Sequence, residues 1–435
     1  MAARRTASGG TALFGRLVKL LAALLILTLV AIQFSLGSQL LDLPLSPLVH
    51  EGGSGSKQNT QQIEQQDNVY KQYANRDTEH NSTVTNDEDR LITPSASDGT
   101  LQGKERLWDM LVSRNVSQIY ASYWASVPPW GRILASIHRT NNPSPIIYGL
   151  ETCDKFQNIT SDNPSQRRIA PAGLFNTGTN LLSVLLEYNC QNLHRVAKFK
   201  GNAKRGHGNE WQVLWGKHTP ARYRGTYFTS KNPKYTVDEV LPIVLVRNPY
   251  GWMKSMCRNP YTASWEGSSN SNTCPRLKTQ NNEWNNVNVK FGPGQTHHQS
   301  LGHLFNDWYG DYFYNNSTVD DVRGRRNTTA PFPRLIIRFE DLIFFPKEVT
   351  EAVCKCAGGI LGHRADDKDV TKGTFHYVVR SAKAGFGHGP QSHRNGLIDS
   401  WIRYGADPQE GYSPDDLKLA KEVLDPLIMN TFGYS

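Results

Sequence analysis

The sequence predicts an α/β fold built on a central parallel sheet, and three observations carry that expectation. Ile243-Val244-Leu245-Val246 is short and wholly apolar, as a parallel strand covered on both faces should be. Gly173-Leu174-Phe175-Asn176-Thr177-Gly178-Thr179-Asn180 is a glycine loop that feeds a helical pattern, with Leu181, Leu182, Leu185 and Leu186 recurring on one face. Several apolar runs precede helical patterns, which is the βα alternation of such sheets.

Taken in order, the chain starts with its clearest physical signal. Arg4, Arg5, Arg16 and Lys19 precede an almost uninterrupted apolar run from Leu20 to Leu36. Seventeen residues is the short end of what spans a bilayer. Basic residues before the run, with Asp42 and Glu51 after it, orient the N-terminus to the cytosol. A cleaved signal peptide is the rival, with Ser35-Leu36-Gly37 as a cleavage site; the apolar residues Leu40, Leu41 and Leu43 favour a retained anchor. So short a span suits the thinner early secretory membranes. The boundaries expected are a cytosolic tail over 1–19, an anchor over 20–36, a stem over 37–105, a helical preface over 106–144 and one domain over 145–435.

The rest of the chain then faces a lumen. Asn81, Asn115, Asn158, Asn315, Asn316 and Asn327 each open an N-x-Ser/Thr triplet. The six cysteines sit where disulfides persist, and no Cys/His pattern suggests zinc. Cys354-Lys355-Cys356 falls on an expected helix, where residues two apart diverge, so these two cannot pair with each other. The net charge of +9 is spread without a long basic block, which disfavours nucleic acid and suits a small anion or an acidic polymer.

Residues 52–97 are rich in Gln, Asn, Ser and Gly and poor in apolar side chains, hence the stem. Within the domain, strands are expected at 146–148, 169–174, 211–215 (WQVLW), 243–246 and 335–339. The Asn-, Gly- and Ser-rich stretch 261–332 reads as a surface insertion around a few helical turns.

A Gly-rich turn entering a helix gathers unpaired N–H groups and the positive end of the dipole, which suits a phosphate, although an ordinary strand–turn–helix junction has the same spacing. The glycines have Walker A spacing, but Thr179 and Asn180 replace the Lys and Ser/Thr that grip a γ-phosphate and Mg²⁺. That argues against a kinase-like enzyme. Directly after the apolar strand, Asn248 and Pro249 are an N-cap and a first helical residue, so Arg247 is held at a strand's carboxyl end beside a helix N-terminus. Ser255 follows eight positions on.

This set resembles the sulfotransferases that use 3′-phosphoadenosine-5′-phosphosulfate. Their phosphosulfate loop is matched by Asn176-Thr177-Gly178-Thr179-Asn180, and their 3′-phosphate motif by Arg247 and Ser255. Arg394-Asn395-Gly396 followed by Trp401 matches their RxG and Trp, and Phe339-Glu340-Asp341-Leu342 their aromatic-Glu-Asp-Leu strand end. His218 in Gly216-Lys217-His218-Thr219-Pro220 matches their catalytic His.

The resemblance implies a single catalytic domain with a P-loop-like strand–loop–helix behind a membrane helix. It implies 3′-phosphoadenosine-5′-phosphosulfate as co-substrate without a metal, His218 as base, and a lumenal Golgi enzyme acting on a glycan or, less often, protein tyrosine. Asn176 stands where the family often has Lys or Arg, and Lys217 is the residue expected to compensate. Leu181 stands where cytosolic members often have an adenine-stacking Trp. A binding protein that kept the fold and lost catalysis is the alternative that Asn176 raises.

Overall fold

The computed structural model describes residues 90–137, 144–193, 212–224, 236–268, 275–291, 294–315, 318–320, 326–328, 331–362, 375–379 and 396–434. All lie in one compact unit, Asn68–Ser435. The apolar run at 20–36, the tail and most of the expected stem fall outside the described residues, as do Arg394 and Asn395. Among the described residues no helix is long and apolar enough to cross a membrane.

The core is a four-stranded sheet of β1 (Ile147–Tyr148), β2 (Arg168–Gly173), β3 (Val240–Val246) and β4 (Leu335–Arg338), in the order β1-β4-β3-β2. β2 and β4 both run parallel to β3, with Gly173 opposite Leu245 and Arg338 opposite Val246. β1 is a two-residue edge strand antiparallel to β4, so the sheet is mixed and not wholly parallel as expected. β3 begins earlier than its uninterrupted apolar run and contains Pro242. The ladder to β4 starts at Ile243, so the missing proline N–H falls before it.

Alternation along β3 sorts its side chains to two cores. Val240, Val244 and Val246 pack on one face and Leu241, Ile243 and Leu245 on the other. The second face is covered by α1 (Thr179–Asn189), through Leu182, Leu185 and Leu186, and by α5 (Pro346–Cys356), through Val349 and Val353. The first is covered by α2 (Pro249–Arg258) and α3 (Leu301–Phe313). Between β4 and α5 lies α4 (Phe339–Phe344), so Phe339 opens a helix and does not end the strand. The result is an α/β architecture with helices on both faces of a mixed sheet.

Three further expectations need correction. Residues 212–215 of WQVLW form turns, because Gly216 takes φ +108 and its N–H bonds back to Val213 O at 2.9 Å. The stretch 261–332 is no surface insertion. α3 lies inside it and buries Leu301, Leu304, Phe305, Trp308, Tyr309, Tyr312 and Phe313, and a three-stranded sheet of Ala263–Ser264, Val287–Phe291 and Gly294–His298 packs beside it. Asn315 is a poor glycan acceptor: it is buried, its amide donates to Phe332 O at 2.9 Å and its carbonyl accepts from Phe332 N at 3.2 Å. Asn115 and Asn158 are exposed.

The preface is helical over Glu105–Val112, Ala121–Ser126 and Trp130–Ile137, and Leu107, Leu111 and Ile133 join the core on the α1/α5 face. Leu91–Ile92, inside the stretch read as stem, pairs with Ile119–Tyr120. Two disulfides, Cys153–Cys356 and Cys190–Cys354, fasten both ends of the Cys-x-Cys turn of α5 to different partners. Cys257 is also disulfide-bonded.

Candidate functional site

The carboxyl ends of β2 and β3 lie side by side, and the glycine loop leaves the first while α2 leaves the second. Asn176 and Gly178 both adopt left-handed backbone, φ +64 and +82, which lets the chain double back before α1. Gly173 and Gly178 have no room for a side chain. A Cβ at Gly173 would stand 2.5 Å from Thr177 Oγ1, and one at Gly178 only 2.0 Å from the Phe339 ring. Thr177 is buried and donates its hydroxyl to Leu174 O at 2.7 Å, so it shapes the loop from inside. Thr179 is buried at the first helical position. The first N–H bonded within α1 is that of Leu181, to Gly178 O at 2.9 Å, so the N–H groups of Thr179 and Asn180 have no acceptor inside the helix.

The Asn176 side chain is engaged within the fold. Its Nδ2 donates to Asn259 O at 2.9 Å and Ser255 O at 3.3 Å, so its amide is spent on the C-terminal end of α2. The residue acts as a clamp through its side chain and as a turn through its φ.

Arg247 joins the two halves. Its Nη1 donates to Asn176 O at 3.1 Å and to Ser255 Oγ at 2.9 Å, touching loop and helix with one nitrogen. The N-cap expected at Asn248 is present, its Oδ1 accepting from Tyr250 N at 3.1 Å and Gly251 N at 3.4 Å. The guanidinium packs against a pair of rings, Phe339 at 5.6 Å and Tyr404 at 5.4 Å, which are themselves in edge contact. Arg247 Nε and the Tyr404 hydroxyl are buried and have no hydrogen-bond partner among the described residues. Buried donors of this kind are normally satisfied. Tyr404 belongs to α6 (Leu397–Tyr404), whose N-cap is Gly396 and whose Trp401 is fully buried.

On the other side of the loop, the turn after Trp215 delivers Lys217 and His218 together. The backbone carbonyl of Lys217 accepts from Gly173 N at 3.0 Å, which lashes this turn to the end of β2. Lys217 Nζ donates to Asn180 Oδ1 at 3.1 Å, and burial pushes the ammonium down to about 7. His218 Nδ1 stands 2.7 Å from Gly173 O. A carbonyl can only accept, so Nδ1 carries a proton, and in the neutral imidazole the lone pair is then on Nε2. Trp308 Nε1 donates to His218 O at 2.8 Å, and the Phe175 ring lies 4.7 Å from the imidazole.

The structure therefore gathers Asn176, Thr177, Gly178, Thr179, Asn180, Lys217, His218, Arg247 and Ser255 at one end of the sheet. Four neighbours escaped the sequence reading. Phe175 and Tyr404 give no sequence signal. Arg258 donates from Nη2 to Ser255 Oγ at 3.0 Å, and its i+3 spacing from Ser255 could have revealed it. Trp308 could have been found from the apolar period of α3. Glu340 works structurally, accepting from Asn248 N at 2.9 Å and from the Tyr434 hydroxyl at 2.8 Å.

No family model, no curated protein and no solved structure matches the chain.

Proposed function

We propose that the protein is a sulfotransferase that moves a sulfuryl group from 3′-phosphoadenosine-5′-phosphosulfate to a hydroxyl of a glycan, from a single-pass anchor in the Golgi membrane. The observation that carries this reading is Arg247. One buried guanidinium touches Ser255 and the glycine loop at once, and its Nε has no hydrogen-bond partner among the described residues. That suits a ligand with two anionic ends on one ribose: a dipole-backed loop at one end, guanidinium and hydroxyl donors at the other.

The Phe339 and Tyr404 rings back the guanidinium from one side. Thr177, Gly178, Thr179 and Asn180 would hold the phosphosulfate end by backbone N–H groups, and Arg247 and Ser255 the 3′-phosphate, with Arg394, Asn395 and Gly396 beside them by resemblance. The bound nucleotide supplies the sulfuryl group; the protein supplies position, charge and a base. His218 Nε2 takes the proton of the acceptor hydroxyl, and the Nδ1–H bond to Gly173 O holds the ring in that tautomer. Lys217 supplies at the first turn of α1 the positive charge that Asn176 lacks.

The test is transfer of labelled sulfate from 3′-phosphoadenosine-5′-phosphosulfate by the full chain over a panel of hydroxyl acceptors with chelator present. Transfer to a glycan is expected. A chain that binds no adenosine 3′,5′-bisphosphate and transfers to nothing would refute the proposal.

A further inference from the structure

A tight turn beside His218 holds a residue that local physics does not favour. Ala263 N donates to Pro260 O at 3.0 Å, closing a turn whose first central residue is Tyr261. Tyr261 sits there at φ +56. Turns with that conformation at that position take Gly, Asn or Asp, because a bulky side chain meets its own backbone. Strain of this kind persists where the side chain has a use.

The residue as a whole also remains 47% exposed. One part of it is stacked on Phe175, with centroids 5.3 Å apart and planes 16° from parallel. Phe175 is in turn the ring that lies 4.7 Å from His218. A wet aromatic surface is thus fixed one ring away from the candidate base, on a backbone that resists its presence. Lys290 donates its N–H to Thr262 O at 3.3 Å, and the Thr262 hydroxyl donates to Lys290 O at 2.7 Å, so the turn is anchored to the neighbouring hairpin and cannot simply swing away.

We infer that Tyr261 is an aromatic platform for a sugar ring of the acceptor, setting glycan specificity at the transfer site. A pyranose has a face of C–H bonds that can leave water against a flat ring while its hydroxyls stay solvated at the edges. An exposed ring rigidly backed by Phe175 offers that face without ordering a flexible side chain. The inference rests on the sulfotransfer reading for the identity of the site, and its test separates the two.

The substitution Tyr261→Gly relieves the positive φ of the turn, which offsets the lost stack on Phe175, and a Tm measurement confirms that the variant is folded. Full chain and variant are compared for binding of adenosine 3′,5′-bisphosphate and for saturation-transfer NMR contacts to two oligosaccharide types. One alternates uronate with N-acetylhexosamine; the other is a neutral galactose–N-acetylglucosamine repeat. A tyrosine peptide serves as the third probe.

The expected result is unchanged nucleotide binding, with loss of C–H contacts to at least one oligosaccharide and at least a tenfold rise in its KM where transfer is measurable. Tyr261→Trp should restore both. Oligosaccharide contacts that are equal in parent and Tyr261→Gly would overturn the inference, as would contacts that only the tyrosine peptide makes. Because the NMR contacts do not require turnover, absence of sulfate transfer with lost sugar contacts would sink the enzyme reading and leave the platform standing.

Discussion

Lys217 Nζ donates to Asn180 Oδ1, setting a buried ammonium group against the first turn of the helix that the glycine loop feeds. Its neighbour His218 bonds Gly173 O at the other end of the same loop. Adjacent residues in an extended strand would point apart. Here the Gly216 turn lets both reach one place, which gives a division of labour that can be tested.

On that division, His218→Ala removes the proton acceptor and lowers kcat by about 10²–10⁴-fold while leaving nucleotide affinity nearly intact. An acceptor with a lower hydroxyl pKa should recover part of the loss. Lys217→Ala should also lower kcat, but the loss should not recover with such an acceptor. Steady-state kinetics over acceptors of graded pKa decide this, and parallel responses of the two variants would contradict it.

The Lys217 ammonium also predicts a pH dependence. Its burial lowers the pKa from 10.5 to about 7 in the folded chain. Between those values the unfolded chain holds the proton and the folded chain does not, so this group makes stability rise with pH over that window. Anion binding runs the other way, because it needs the protonated form. Affinity for adenosine 3′,5′-bisphosphate should fall above about pH 7, approaching about tenfold per unit. Lys217→Arg, which stays charged, should flatten the profile from pH 7 to 9. Identical calorimetric profiles for the two proteins would remove Lys217 from the anion site.

Gly178 and Gly411 form a matched pair. Both have strongly positive φ, +82 and +83, but a Cβ at Gly411 meets nothing within 4 Å, while one at Gly178 enters the Phe339 ring. Each change to Ala incurs backbone strain of about 1–3 kcal/mol. Gly178→Ala should cost about 1–3 kcal/mol more through overpacking, and should weaken nucleotide binding as well. Urea unfolding of both variants measures the difference; equal losses would mean that Phe339 does not support the loop.

The disulfide Cys190–Cys354 joins residues 164 apart, from the end of α1 to α5. Replacing both cysteines by Ala should lower stability by about 2–5 kcal/mol. Since the bond lies at the far end of α1 from the loop, nucleotide affinity at low temperature should hardly change. A variant that keeps its Tm would show that packing alone fixes α5.

Much of this was legible because it is local. The N-cap at Asn248, the Pro at 249 and the apolar run of β3 are statements about a few neighbouring residues, and each appears where the sequence predicts it. Arg247 and Ser255, eight apart, could be joined on paper because a strand end and a helix separate them by a known geometry. Other features depend on partners far away in the chain. WQVLW has the composition of a strand but is bent by Gly216 and tied to the sheet end and to α3. α3 itself carried a readable apolar period, hidden by the Asn- and Gly-rich sequence around it. The turn of the Asn176 amide toward Asn259 and Ser255 follows from where α2 ends, which no local pattern encodes.

The central claim is that Arg247 recognises the 3′-phosphate of a nucleotide whose other end lies in the glycine loop. Isothermal titration of the parent and of Arg247→Ala with adenosine 3′,5′-bisphosphate and with 5′-AMP tests it directly. The account predicts a loss of about 1.5–3 kcal/mol for the bisphosphate, the scale of a hydrogen bond to a charged group, and little change for 5′-AMP, which lacks the 3′-phosphate. Equal losses for the two ligands would contradict it and would leave Arg247 as a brace between the loop and α2.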